Sequence, residues 1–278
     1  MTRKEFIKLS SLFLASPFYA SMTSNEKKLM PALFIGHGSP MNIIRDNDFT
    51  KSLSNITKTF EKPKAIIVVS AHWYENETLI SNSEEQDTIY DFYNFPQELY
   101  DISYEPKGNP KLANEVSQIF RNTSLVDRGL DHGAWSVLRH MYPNANIPTF
   151  QISINKNFSY MQHFEFASLL SKLRENGILI IGSGSVTHNL RLTNRNATTV
   201  DEWATIFDNF VKDSFTKKKL ANIIHAKQHP LFNLSHPFDD HYIPLLYTAG
   251  MVKENDKVVH FHEEMVSANL SMRCIKVG

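Results

Sequence analysis

Residues 65–70 have the sequence AIIVVS, an apolar, mostly β-branched run of the kind that forms a strand covered on both faces. Two further short apolar runs are ALFI at residues 32–35 and ILII at residues 178–181. Long amphipathic segments separate these runs along the chain. Because strands joined by helices form parallel crossovers, the sequence predicts an α/β fold with a mainly parallel or mixed central sheet and helices on both faces.

The remaining segments extend this alternation of strands and helices. We predict further strands at residues 78–81, 149–154, 257–262 and 270–277. We predict helices over residues 48–60, 109–120, 134–141, 161–176, 201–219 and 242–249, the second of them with proline at its first position. Residues 30–278 contain neither a repeat nor a low-complexity linker, so we expect them to form a single catalytic domain.

The composition is that of an ordinary globular protein, with 42% apolar and 21% charged residues among 278. Lys and Arg together number 29, as do Asp and Glu, so the formal net charge is zero. This balance argues against a nucleic-acid partner, which usually requires a basic surface. The single cysteine, Cys274, excludes an intramolecular disulfide and a site built from several thiolates.

Residues 1–29 have the layout of an export signal. Arg3 and Lys4 precede a short apolar run at residues 9–15, and residues 2–8 resemble a twin-arginine motif in which Lys4 replaces the second arginine. The apolar run is too short to cross about 30 Å of hydrocarbon, so we expect no stable membrane span there. The sequence therefore predicts a periplasmic or otherwise exported protein, the alternative being a leader on a cytoplasmic enzyme.

Histidines follow three of the predicted buried strands. His37 lies in GHGSP at residues 36–40, His72 in SAHW at residues 70–73 and His188 in GSVTHN at residues 184–189. The carboxyl ends of parallel strands meet at the edge of the sheet where open α/β folds bind ligands. Neutral imidazoles without thiolates are typical ligands of Zn, Fe or Cu. The pattern predicts a metal site at this edge.

Two more histidines precede predicted helices, His132 in DHGAW at residues 131–135 and His241 in SHPFDDHY at residues 235–242. The other histidines carry weaker patterns, since no zinc-protease glutamate accompanies the helical spacing of His225 and His229. His260 and His262 would share one face of a strand, as a ligand pair or, more commonly, at a sheet edge. We interpret His225 and His229 as surface residues, and His140 and His163 as structural residues.

These motifs resemble the class III extradiol ring-cleavage dioxygenases, and specifically the 4,5-DOPA extradiol dioxygenase family. The resemblance covers nearly all of residues 30–278. It is carried by six ordered segments, MPALFIGHGSPMN (30–42), VSAHW (69–73), TIYDFYNFP (88–96), LDHGAW (130–135), VTHNL (186–190) and HYIPLL (241–246).

The resemblance implies a non-haem metal held by His37, His72 and His241, with His188 at or against the metal. It also implies an acid/base role for His188 and a second substrate-side role for His132. The metal is expected to be Zn²⁺ or Fe²⁺, with Fe²⁺ required for ring cleavage, and the substrates a catechol-type diol and O₂. Protocatechuate enzymes have a glutamate in place of His241, which leaves Asp240 as an alternative third ligand.

Two other functions fit the same histidines. A zinc-dependent hydrolase would use Asp239 or Asp240 as its general base, and a non-catalytic metal-binding protein would need no base at all. If His188 ligates the metal firmly, the site becomes a closed four-His site, as is typical of structural zinc. Trp73, Trp135 and the aromatic residues of segment 90–100 are expected to line a flat slot for an aromatic substrate. For segment 90–100, packing of the core is the alternative.

Overall fold

Strand β2, Ala65–Glu75, lies in the middle of the main sheet. The structure is a computed structural model that describes residues 29–120 and 122–278. The predicted leader lies outside the described residues except for Leu29, and export stays a prediction. The other strands are β1 Ala32–Gly36, β3 Thr78–Ser81, β4 Thr123–Val126, β5 Thr149–Asn155, β6 Ile178–Gly184, β7 Val258–His262, β8 Met265–Val266, β9 Leu270–Ser271 and β10 Cys274–Val277. The α-helices are α1 Asp48–Ile56, α2 Pro110–Ser117, α3 His132–Met141, α4 Tyr160–Leu170, α5 Glu202–Thr216, α6 Leu220–Ile224, α7 Phe232–Ser235 and α8 Ile243–Gly250.

Eight strands form one sheet in the order β4-β3-β5-β2-β6-β1-β10-β7. The four inner strands β5, β2, β6 and β1 are parallel, whereas β3 pairs antiparallel with β5, and β10 pairs antiparallel with β1 and β7. The predicted mixed α/β sheet is therefore confirmed. The parallel arrangement brings the carboxyl ends of β1, β2 and β6 to one edge.

Successive side chains of the inner strands enter two separate apolar cores. In β1, Phe34 packs into the core that contains side chains of α4, α5 and α8, while Leu33 packs into the core with α1 and α3. Both side chains are completely buried. This alternation confirms that helices cover both faces of the sheet, which the strands' continuous apolar runs require.

Several elements differ from the prediction in their bounds, and one strand was not predicted. Residues 270–277 do not form one strand, because β9 pairs with β8 whereas β10 joins the main sheet. Between them, the Arg273 side chain forms a buried ion pair with Asp208 of α5. The helix predicted over residues 201–219 ends at Thr216, shortly before Lys218 takes a positive φ of 51°. Strand β4 was missed because its four residues are only partly buried and show no apolar run.

Strand β2 continues five residues beyond its predicted end at residue 70. Its pairing with β5 shifts register between Val69 and Tyr74. His72 therefore lies inside the strand rather than after it, in the stretch where the pairing with β5 changes register. None of the helices in the described ranges has both the length and the apolar character needed to cross a membrane.

Candidate metal centre

Five imidazoles gather at the sheet edge formed by the carboxyl ends of β1, β2 and β6. The ring centre of His37 lies 5.0 Å from that of His72, 5.3 Å from that of His241 and 5.6 Å from that of His132. The ring of His188 stacks on that of His241, with centroids 3.5 Å apart and planes 8° from parallel. The structure thus brings together every histidine that the sequence places in the site.

Close backbone approaches set the positions of these rings. His37 directly follows β1, and His241 lies just before α8. Gly184 ends β6 against the backbone of the His241 segment, and a Cβ on Gly184 would overlap the carbonyl oxygen of His241. His132 is the first residue of α3, and the Asp131 side chain caps that helix by accepting a hydrogen bond from its backbone.

The tautomer of His37 follows from its hydrogen bonds. The Ser183 hydroxyl donates to the carbonyl oxygen of Gly133 at 2.5 Å, and its oxygen lies 2.9 Å from Nδ1 of His37. Because the single hydroxyl proton goes to the carbonyl, His37 must donate its Nδ1–H to Ser183. Nε2 of His37 is therefore unprotonated and turns its lone pair toward the cluster.

Asp240 fixes the tautomer of His241 in the same way. Its Oδ1 accepts the Nδ1–H of His241 at 3.0 Å and the backbone N–H of His241 at 2.7 Å. The Asp240 carboxylate thus supports the imidazole from behind, as partners of metal-bound histidines usually do. This contact argues for His241 as the ligand and for Asp240 as its support.

Asp91 bridges two other imidazoles. Its Oδ2 lies 2.9 Å from Nδ1 of His132 and 3.4 Å from Nδ1 of His72, and its Oδ1 accepts the backbone N–H of His132 at 2.8 Å. The rings of His72 and His132 are only 3.9 Å apart. The carboxylate therefore orients both rings so that each turns Nε2 away from it.

The donor atoms fit a divalent cation. Nε2 of His37 and Nε2 of His72 lie 3.1 Å apart, so one proton or one cation can bind between them. Nδ1 of His72 lies 3.4 Å from the Asp91 carboxylate, on the side of the ring that faces away from His37. Potential ligand atoms within 4.8 Å of one another form two groups, one of His37, His72 and His132 and one of His188, Asp240 and His241.

Burial keeps His37, His72 and His188 neutral. It lowers the pKa of His37 and of His72 well below 6.5, and the neighbouring imidazoles lower both further. Burial, followed by the charge of His241, lowers the pKa of His188 to about 2. Burial raises the pKa of Asp240, but the hydrogen bonds from His241 and the charges of His241 and His188 together outweigh it and lower the value to about 2. Neutral imidazoles backed by an ionised carboxylate suit a transition metal.

The hydrolase alternative lacks a free carboxylate at this site. Asp239 accepts a hydrogen bond from the Tyr160 hydroxyl at 3.0 Å and pairs with Nζ of Lys227 at 2.8 Å. Asp240 is committed to His241. Neither carboxylate is left to activate a water molecule as a general base, so the arrangement argues against that alternative.

The prediction that Trp73 and Trp135 line a substrate slot is wrong, because both side chains lie in the core. Trp135 is completely buried, and its indole N–H donates to the carbonyl of Ile89 at 3.0 Å. Trp73 is 2% exposed, and the guanidinium of Arg128 covers its ring at 4.4 Å. From segment 90–100, Phe92 does reach the site, where its ring meets the ring of His132 edge-on at 5.6 Å.

The remaining histidines lie outside the cluster, in accord with the sequence interpretation. Their contacts are structural: His140 with the carbonyl of Asn42, His163 with the Tyr247 hydroxyl, His229 with the rings of Phe207 and Phe210, His236 with the carbonyl of Val186, His260 with Thr216 and Arg273, and His262 with Glu264; His225 is exposed.

Sequence analysis missed two residues that position the histidines, Asp91 and Ser183. Asp91 lies in the TIYDFYNFP segment, and Ser183 lies near the end of β6, just before the GSVTHN motif. Two sequence signals could have identified these residues. One is a polar residue next to a strand end, and the other is a single carboxylate within an aromatic segment.

Comparison with known proteins is consistent with this geometry. Residues 31–275 match the family described as the catalytic LigB subunit of aromatic ring-opening dioxygenase. A 4,5-DOPA dioxygenase extradiol of Escherichia coli K12 is 39% identical over 90% of this chain and 95% of its own length. A protein of the same name from Beta vulgaris is 36% identical over 86% of this chain and 92% of its own length. The crystal structure of an uncharacterised Escherichia coli K12 protein superimposes with a TM-score of 0.79 at 35% identity, covering 90% of this chain and all of that one.

Proposed function

This chain belongs to the LigB family of class III extradiol dioxygenases and is an extradiol ring-cleaving enzyme, and from that premise we propose that its metal is Fe²⁺ and its substrate a DOPA-like catechol. We propose His37, His72 and His241 as the ligands of the ion. His188 then lies against the metal as the acid/base residue, and His132 lies on the substrate side.

One observation carries this proposal: the Nε2 atoms of His37 and His72 face each other at 3.1 Å. His241, the third proposed ligand, has its Nδ1–H held by Asp240, which leaves its Nε2 unprotonated as well. Three neutral nitrogen ligands leave coordination positions open for both catechol oxygens and for O₂. The names of the relatives favour a catechol that carries an amino-acid side chain.

When bound, Fe²⁺ supplies a Lewis acid that lowers the pKa of a catechol hydroxyl and a site where O₂ meets the ring. The protein supplies the proton transfers. The neutral His188 imidazole takes the proton of the second hydroxyl and later returns one to the opening ring. The Nδ1–H of His132 is held by Asp91, so its Nε2 is available to bind an oxygen atom of the substrate.

Anaerobic reconstitution with Fe²⁺, followed by an O₂-electrode screen of catechols, tests the proposal. We expect O₂ uptake with DOPA or caffeate and a new yellow absorbance from the ring-opened semialdehyde. Protein loaded with Zn²⁺, which has no redox chemistry, should consume no O₂ and serves as the control. O₂ uptake with none of DOPA, caffeate and protocatechuate would contradict the proposal.

An Asp91→Asn variant should lose about 10- to 100-fold in kcat/KM, the usual effect of removing a carboxylate that orients active-site histidines. The amide cannot offer both oxygens as acceptors to His132, so the ring orientation is no longer fixed. Asp101→Asn is the matched control, because Asp101 is an exposed carboxylate on the same connecting segment and bonds only Gln97. Equal kinetics for the two variants would show that Asp91 does not position the site.

A further inference from the structure

The loop after His188 is fastened to the segment that leads to His241. The backbone N–H of His188 donates to the carbonyl of Ser235 at 2.8 Å, and the Asn189 amide donates to the carbonyl of Leu234 at 2.7 Å. The same Asn189 side chain accepts the backbone N–H of Arg191 at 3.2 Å. The position of Arg191 is therefore set by the same contacts that set the position of His188.

Arg191 lies beside an exposed aromatic ring, and the two residues lie on the segments that carry His188 and His241. Its guanidinium carbon is 5.9 Å from the ring centre of Phe238, a side chain that is 69% exposed. Arg191 follows His188 by three residues, and Phe238 precedes His241 by three. Since the rings of His188 and His241 stack on each other, the two segments converge at the site.

Arg191 differs from the buried arginines in its charge environment. Arg128, Arg174 and Arg273 each form an ion pair with an aspartate. Within residues 29–120 and 122–278, no carboxylate lies within ion-pair distance of Arg191, whose recorded side-chain contact is the ring of Phe238. A guanidinium held this way presents a planar set of donors that matches a carboxylate.

We propose that Arg191 binds a carboxylate on the side chain of the catechol substrate, while Phe238 covers the apolar part of that side chain. The enzyme would then select catechols whose side chain carries a carboxylate over catechols without one. This inference rests on the proposed function and assigns the residue that determines its specificity. Arg191 acts on binding, and the site histidines act on the chemistry.

Calorimetric titration of the Zn²⁺-loaded protein separates binding from turnover. We expect Arg191→Gln to weaken the binding of caffeate by about 10-fold, the effect of losing a hydrogen-bonded charge pair. The binding of 4-methylcatechol, which has no carboxylate, should not change. Arg195→Gln is the matched control, because Arg195 is exposed on the same loop but does not contact Phe238.

With the Fe²⁺-loaded enzyme, Arg191→Gln should raise KM for DOPA and caffeate by about 10-fold and leave kcat nearly unchanged, since uniform binding is lost. Unchanged caffeate binding, or an equal loss of caffeate and 4-methylcatechol binding, would overturn the role of Arg191. If the Fe²⁺-loaded enzyme turns over no catechol, the proposed function fails, and the calorimetric comparison still decides the role of Arg191.

Discussion

A His37→Ala variant is expected to lose its metal and, with it, ring cleavage. His37 is 3% exposed, and its bare Nε2 faces that of His72, so alanine removes one ligand and leaves no substitute on that side. Removing a residue that only hydrogen-bonds a metal ligand lowers metal affinity about 10- to 100-fold. Removing a ligand itself should lower the affinity by more than about 100-fold. Metal content after dialysis, measured by plasma mass spectrometry, checks this expectation.

His163→Ala is the matched control for this variant. His163 is also completely buried, but its ring packs against Tyr247, away from the cluster. We expect this control to lose stability and keep about one metal ion per chain. A His37→Ala protein that folds and retains wild-type metal content would remove His37 from the ligand set.

A His188→Asn variant is expected to keep its metal and lose turnover. Asparagine is polar and small enough for the site, but it cannot exchange a proton, and proton transfer by a positioned side chain is worth about 10²- to 10⁴-fold. His37, His72 and His241 remain to hold the ion. We therefore expect kcat to fall by this factor while metal content stays at the wild-type level.

Two measurements distinguish the roles of His188. If metal is lost in step with turnover, His188 is a ligand, and the closed four-His arrangement describes the site. If turnover is unchanged, His188 has no part in the reaction. Binding of a catechol to the Zn²⁺-loaded variant shows whether the substrate site stays intact, because His188 stacks on His241 and its loss could disturb that ring.

The location of the metal centre was predictable because it depends on a rule of parallel sheets. Apolar runs that end in His37, His72 or His188 give both the strand and the edge at which it ends. Once β1, β2 and β6 lie parallel and adjacent, their carboxyl ends must meet. Local pattern and sheet geometry together therefore place three imidazoles at one edge.

The amino-acid sequence thus determined the α/β fold, the sheet edge and the histidines. The tertiary structure alone decided which groups orient them, because those contacts join segments far apart along the chain. Asp91 reaches His132 across 41 residues, and Ser183 reaches His37 across 146. The tertiary structure likewise buried Trp73 and Trp135 and left Phe238 exposed beside Arg191. Composition records only that a side chain is aromatic, whereas packing between distant segments decides whether it faces the core or the substrate.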